Sequence, residues 1–262
     1  MKRGLILTML GLLLLAVSFP VRAQSPSATE LMAQANQAYE AGRFSQAAEL
    51  YQTLVDDGFE DGILFYNLGN AYFKQEDWGR AVLNYRRAQR ILPRDPDIRD
   101  NLILARAQTV DQIDAQREVI LSRLLRLAQQ WLTLNELALA NLALWFLLVG
   151  VIILLARFQN ERLKQTLSYL LIGVVILLLG GLFSLGGRLY VETIQPEGVV
   201  VSQEVDVMSG PGEQYVAEFT LHAGAEISVL EERPRWLRLT LPGGQLQGWV
   251  PVSAVELIVG EG

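Results

Sequence analysis

LALANLALWFLLVGVIILLA (137–156) and LSYLLIGVVILLLGGLFSLGG (167–187), joined by RFQNERLKQT (157–166), decide how this chain is read. Each apolar run has about the 20 residues that a helix needs to cross the hydrocarbon core of a bilayer. Polar side chains inside them are few: Asn141 in the first, Ser168, Tyr169 and Ser184 in the second. Lipid offers no partner for backbone N–H and C=O groups, so both runs are expected as transmembrane helices forming an α-helical hairpin. Two crossings return the chain to its starting side, and what precedes and follows the hairpin then shares one compartment. The turn carries Arg157, Arg162 and Lys164 against Glu161, and the positive-inside tendency puts it in the cytoplasm. Gly173, Gly180 and Gly187 recur every seven residues, and that small-residue face is expected to pack on the first helix.

Working outward toward the amino terminus, residues 110–134 read as one amphipathic linking helix. Ile120, Leu124, Leu127 and Trp131 share a face, with Arg117, Arg123 and Arg126 around it. Such a face suits either the end of a helical stack or the headgroup layer of a membrane. Residues 28–109 carry an internal repeat. In its second copy, Phe65, Leu68, Gly69, Tyr72, Ala81, Tyr85 and Pro93 fall at the spacing W-x2-L-G-x2-Y, A-x3-F, P, with aromatics exchanged for aromatics. The first copy aligns 34 residues earlier through Ala35, Tyr39, Ala47 and Tyr51. The pattern resembles the tetratricopeptide repeat, an all-α helical repeat of antiparallel helix pairs. It predicts copies at 28–61 and 62–95 and a capping helix at 96–109, with Leu102, Ile103 and Ala105 covering the open end of the stack.

In that frame the first helix of each pair lines a concave groove, and the inward positions are Met32, Asn36, Tyr39, Tyr66, Asn67, Asn70, Phe73 and Lys74. Amides and aromatics suit an extended peptide, since Asn pairs with both donors and acceptors of a peptide backbone. The resemblance also places Asn36 and Asn67 where chaperone-binding members of the family keep two asparagines of a carboxylate clamp. Met32, Asp97 and Asn101 stand in place of the clamp's cations, so a free carboxy terminus is not the expected ligand.

Working outward toward the carboxy terminus, 188–197 is a linker containing Pro196, and beyond it the apolar period becomes two. Short strands are expected at 199–201, 205–207, 216–221, 226–230, 236–241 and 247–250, divided by the turn sequences SGPGEQ, HAGAE, EERPR and LPGG. Strands this short and this dense predict a small all-β barrel at 198–260. The order VDVMSGPG, AGAEISVLE, WLRL, GWVP resembles a bacterial SH3-like domain, which implies a binding module. Tyr215, Trp236 and Trp249 are its candidate groove aromatics, against the competing reading of both tryptophans as core. His222 opens the turn HAGAE and reads as an exposed turn histidine rather than a ligand.

Composition narrows the chemistry. There is no cysteine and one histidine, so thiolate metal sites and disulfides are excluded, and a zinc site or a Ser/His/Asp triad would rest on His222 alone. Adjacent acid pairs such as Asp56–Asp57 and Glu231–Glu232 look like solvated charge rather than acid and base catalysts. No cofactor, no metal and no enzymatic activity are expected, and with a net charge of −6 nucleic acid is not an expected partner. Residues 1–23, with Lys2 and Arg3 before the apolar run from Leu5 to Val17, have the plan of a secretory signal peptide, an uncleaved signal anchor being the alternative. Either puts the repeats on the outer face, in agreement with the hairpin.

The whole order of segments, with YNLGNAYFKQEDW, PRDPDIRDNL and the late strands as its specific parts, resembles the BatE type of protein of bacterial aerotolerance (Bat) operons. That resemblance implies a cytoplasmic-membrane protein with both modules on the periplasmic side. It also implies partners among von Willebrand A-domain membrane proteins and a MoxR-type ATPase, and a role in envelope assembly or stress tolerance. The expected function is a membrane-anchored scaffold contacting lipid and protein partners. The alternative is a sensor whose SH3-like domain binds peptidoglycan stem peptides.

Overall fold

The computed structural model describes residues 26–111, 132–194, 196–244 and 246–259. The leader at 1–23 and nearly all of the linking helix at 110–134 lie outside the described residues. Five helices form the first module: α1 (Pro26–Glu40), α2 (Phe44–Asp56), α3 (Gly62–Lys74), α4 (Trp78–Ile91) and α5 (Pro96–Arg106). Their starts are written locally. Asp61 caps α3 by accepting from the Ile63 and Leu64 amides at 2.9 and 3.0 Å, and Asp77 caps α4 through Arg80 N at 3.0 Å. Asp95 caps α5, whose first residue is Pro96. Gly69 lets α3 and α4 approach, since a Cβ there would lie 2.8 Å from the Tyr85 ring. Leu68, Ala71, Ala81, Tyr85 and Leu102 are fully enclosed as a result. Ile103, expected to cover the stack, is instead 56% exposed, because Leu102 and Ala105 take the inward face of α5.

Two further helices, α6 (Leu134–Arg157) and α7 (Glu161–Ile194), pack as an antiparallel hairpin. Thr133 and Glu136 form a capping box at the start of α6. Both helices are long and apolar enough to span a membrane. Phe146, Ile153, Ile176 and Phe183 are each at least 60% exposed, an apolar surface unlike that of a helix inside a soluble core. The close approach between them differs from the expected one: Gly173 and Gly180 have open space where a Cβ would stand, while Gly181 abuts Asn141. Asn141 is buried and donates to the Leu137 carbonyl at 2.8 Å. An amide in this position asks for the smallest neighbour, and that requirement, not the seven-residue stripe, sets which face of α7 meets α6. The expected linker at 188–197 is largely helical, because nothing before Pro196 interrupts α7.

The carboxy-terminal module is one antiparallel sheet of seven strands: β1 (Glu197–Val200), β2 (Glu204–Met208), β3 (Ala217–His222), β4 (Glu226–Glu232), β5 (Trp236–Thr240), β6 (Gln247–Pro251) and β7 (Val255–Leu257). Its order is β3-β2-β6-β5-β4-β1-β7, so among the described residues the sheet is open, with β3 and β7 at its edges. Six strands match the period-two segments. The seventh follows a single 3-10 turn at Val252–Ala254 and pairs with β1 in the register Val200↔Val255. Bulges at Val207/Met208 and Val229/Glu231 curl the sheet around Val207, Leu221, Ile227, Val229, Leu237, Leu239 and Val250.

The sheet rests on the helical repeats. Val199 and Ile258 join Val82, Leu83, Leu102 and Ala105 in one buried cluster. Gly79 on α4 lies so close to β1 that a Cβ would come within 2.9 Å of the Val200 carbonyl oxygen. The repeats and the sheet are therefore one packed body, although the α6–α7 hairpin separates them in the chain.

Candidate functional site

The first helices of the repeats, α1 and α3, together with α5, carry polar groups that form a ladder with the period of the repeat. Tyr51 is buried in α2, and its hydroxyl donates to Asn36 Oδ1 at 2.6 Å. Thirty-four residues later, the buried Tyr85 donates to Asn70 Oδ1 at 2.7 Å. A cross-link between neighbouring repeats follows the same rule: Asn67 Nδ2 lies 3.5 Å from Asn36 Oδ1, and Asn101 Nδ2 donates to Asn70 Oδ1 at 3.0 Å. Asn101 also donates to the Tyr66 hydroxyl at 3.0 Å. A phenol enclosed by apolar side chains needs an acceptor, and an Asn one helix away supplies it. Burial pushes the Tyr51 hydroxyl up to about 12 and raises that of Tyr85 as well, so both remain protonated donors at neutral pH.

These bonds commit one end of each amide and leave the other. The Nδ2 groups of Asn36 and Asn70 have no hydrogen-bond partner among the described residues. Tyr39 packs edge-on against Phe44, and Phe73 edge-on against Trp78, each pair with ring centroids 5.2 Å apart. Met32 is half-buried and Lys74 is exposed. The eight expected groove residues thus lie on α1 and α3 as a mixed surface: fixed aromatic rings, oriented amides and one cation. Such a face can meet a peptide backbone without first ordering its own side chains. Sequence reasoning missed the roles of Tyr51, Tyr85 and Asn101. The recurrence of Asn and Tyr fifteen residues apart, at 36/51 and 70/85, is the signal that carries them.

A second set of polar contacts joins α4 and α5 to the sheet. Arg86 pairs with Glu197 and, through Nε at 3.0 Å, with Glu226. Arg106 holds the other side of Glu226 at 2.6 Å, and Arg87 donates to the Leu257 carbonyl at 2.8 Å. Burial alone would raise the Glu226 carboxyl, but Arg86 and Arg106 outweigh it and hold the group below its ordinary value. Burial lowers the Arg87 guanidinium, although Glu256 stands 3.6 Å away. His222, expected as an exposed turn residue, is half-buried: its amide donates to Asp111 Oδ2 at 2.6 Å and its ring Nδ1 lies 3.1 Å from Asp111 Oδ1.

Residues 32–96 match the tetratricopeptide repeat family. The match covers about a quarter of the chain, and repeats of this family imply a protein–protein interaction scaffold. Comparison with curated proteins gives no match.

On the sheet, the register Arg238↔Trp249 and Trp236↔Pro251 puts Trp236 and Trp249 on one face, opposite the core residues Leu237, Leu239 and Val250. Trp249 is 7% exposed and lies under the Arg233 guanidinium, 4.6 Å from the ring centroid. Tyr215 is exposed in the loop before β3, where its amide donates to the Gly212 carbonyl at 3.2 Å.

Proposed function

We propose that the protein is a non-enzymatic scaffold held in the cytoplasmic membrane by α6 and α7, which gathers protein partners on the concave face of its repeats. The observation that carries this reading is the docking of the sheet on α4 and α5 with the apolar hairpin between them. Two modules in contact occupy one compartment, which is what two crossings of a bilayer deliver. The basic turn at 157–166 supports a cytoplasmic placement of the turn and an outward placement of both modules. The small sheet, with its short bulged strands, is read as a bacterial SH3-like domain. The resemblance to Bat-operon proteins supplies the partner class, von Willebrand A-domain membrane proteins, and the setting, envelope assembly or stress tolerance.

The chain has no cysteine, so single cysteines can be introduced at Lys74, Ser253 and Gln159 and probed with a membrane-impermeant maleimide in intact cells after outer-membrane permeabilisation. Labelling at 74 and 253 with protection at 159 is expected. Labelling at 159 alone would overturn the orientation. For partner binding, crosslinking in native membranes should recover von Willebrand A-domain proteins from the wild type and lose them in Asn67→Asp/Lys74→Glu, a change on the concave face that spares the Tyr–Asn bonds.

A second reading rests on the shared face of Trp236 and Trp249. In it the sheet binds peptidoglycan stem peptides, and the repeats relay occupancy to a partner. Retention of the detergent-solubilised protein on purified cell wall, lost in Trp236→Ala, would favour that reading.

A further inference from the structure

The two repeats carry the same groove on their outer side, and the chain fills only one of them. Below the second repeat the groove lies between α4 and α5, and the sheet sits in it. Moved back by the 34-residue period, its lining falls on α2 and α3: Val82 becomes Ala48, Arg86 becomes Gln52, Arg106 becomes Tyr72 and Thr109 becomes Gln75. All four of these earlier residues line an open cavity of about 380 Å³. The remaining positions shift the charge toward acid. Leu83 becomes Glu49, Arg87 becomes Thr53, and Arg90, which pairs with Glu60, becomes Asp56, so the three arginines that meet the sheet (Arg86, Arg87 and Arg106) correspond to no cation in the open groove. The Asp56 carboxylate accepts from Gln52 at 2.8 Å, and neither it nor Glu49 has a cationic partner among the described residues.

We infer that this outer groove of the first repeat is a second docking site, and that it takes a basic segment of a protein partner, with Lys or Arg facing Glu49 and Asp56. The inference rests on the scaffold reading and adds a site to it. The filled groove demonstrates what the geometry accepts, an edge of folded protein with β-branched side chains on the floor and charges of opposite sign to the walls: Val199 and Ile258 below, Glu197 and Glu226 beside. The open groove keeps a small apolar floor at Ala48 with the Tyr72 ring and reverses the sign of the walls. The acidic edge of the chain's own sheet, from the same or a second copy, would meet like charge there and be rejected. A partner offering two cations at strand or helix spacing would have its charge matched by Glu49 and Asp56, between walls whose amides are already fixed, Gln52 on Asp56 and Gln75 on Ser45 and Ala71.

The test uses the full-length protein in native membranes, with the photo-crosslinking residue benzoylphenylalanine placed at Gln52 in the outer groove or at Lys74 on the concave face. The expected adduct at 52 maps to a protein segment carrying at least two Lys or Arg residues. Its yield should fall about tenfold or more in Glu49→Lys/Asp56→Lys, while the adduct at 74 is unchanged. Both substituted residues are exposed, so the melting temperature of the double variant should stay within about 2 °C of wild type and separate lost docking from lost folding. Adducts at 74 but none at 52 would remove the outer site and leave the scaffold standing. Adducts at 52 to lipid, to the chain's own sheet or to segments without Lys or Arg, or adducts that survive the charge reversal, would each overturn the inference. No adduct at either position would sink both readings.

Discussion

In the second repeat the outer groove is floored by Val82 and Leu83, walled by arginines and filled by β1 and the end of β7. In the first, the same helical plan leaves an open cavity floored by the buried Ala48 and edged by the exposed Glu49 and Asp56. The inner faces of the two repeats, by contrast, are nearly copies, down to the Tyr–Asn bond that each uses to anchor an amide. The period therefore governs the positions that make the repeat, and releases the positions that decide what the repeat touches. An arginine on the outer face of α4 is not part of the fold's grammar; it is there for the carboxylates of the sheet.

Substitutions can break this contrast in order of size. Val199→Asp puts an unpaired carboxylate where no surface is exposed, and should cost about 4 kcal/mol, read as a lower thermal midpoint and early protease cleavage of the sheet. Glu226→Gln removes the charge shared by Arg86 and Arg106; with a quarter of that side chain still exposed, the expected cost is about 2 kcal/mol. The same residue sets a pH dependence. Because its folded carboxyl is held low, its contribution is fully present above the ordinary carboxylate value of about 4.3 and is lost as pH falls through the depressed one. Wild type should thus lose that part of its stability as pH falls below that range, and Glu226→Gln should flatten that part of the profile. Asn70→Ala strands the Tyr85 hydroxyl and removes an acceptor of Asn101, for a loss of about 1.5 kcal/mol, and Asn36→Ala should cost slightly less, since the Asn67 contact it loses is longer. Glu49→Lys in the open groove should change stability by less than about 0.5 kcal/mol, which chemical denaturation can check.

How far the sequence alone reached follows the same division. The repeats were legible because Gly69, Ala81 and the aromatics act over one or two helical turns, and the strands because alternation is local. The strand β7 was not, since three residues after a 3-10 turn are too short to show a period. The expected groove residues do lie on the first helices of the pairs, but the two shortest hydrogen bonds that orient them come from Tyr51 and Tyr85 on the second helices. Docking of the sheet was out of reach: Arg86 and Arg87 meet partners 111 and 170 residues away, and in sequence they look like any charges on a solvated helix face. Gly79 was the available clue, a glycine in the first turn of a helix where no cap or bend asks for one.

The hairpin is pinned at both ends to the same body. Arg94, just before α5, pairs with Glu136 in the first turn of α6 at 2.6 Å, and Arg188 on α7 donates to the Leu132 carbonyl at the start of α6. Two residues beyond α7, β1 is already seated on α4. Mechanically the molecule is a closed circuit, with two load paths leading from the 157–166 turn to one packed head, through the Arg94–Glu136 pair on the α6 side and through β1 on the α7 side. A pull on that turn divides between α6 and α7, and neither folded module can swivel without carrying the other. A nick in the turn would open the covalent path alone, and the halves would stay together as one particle.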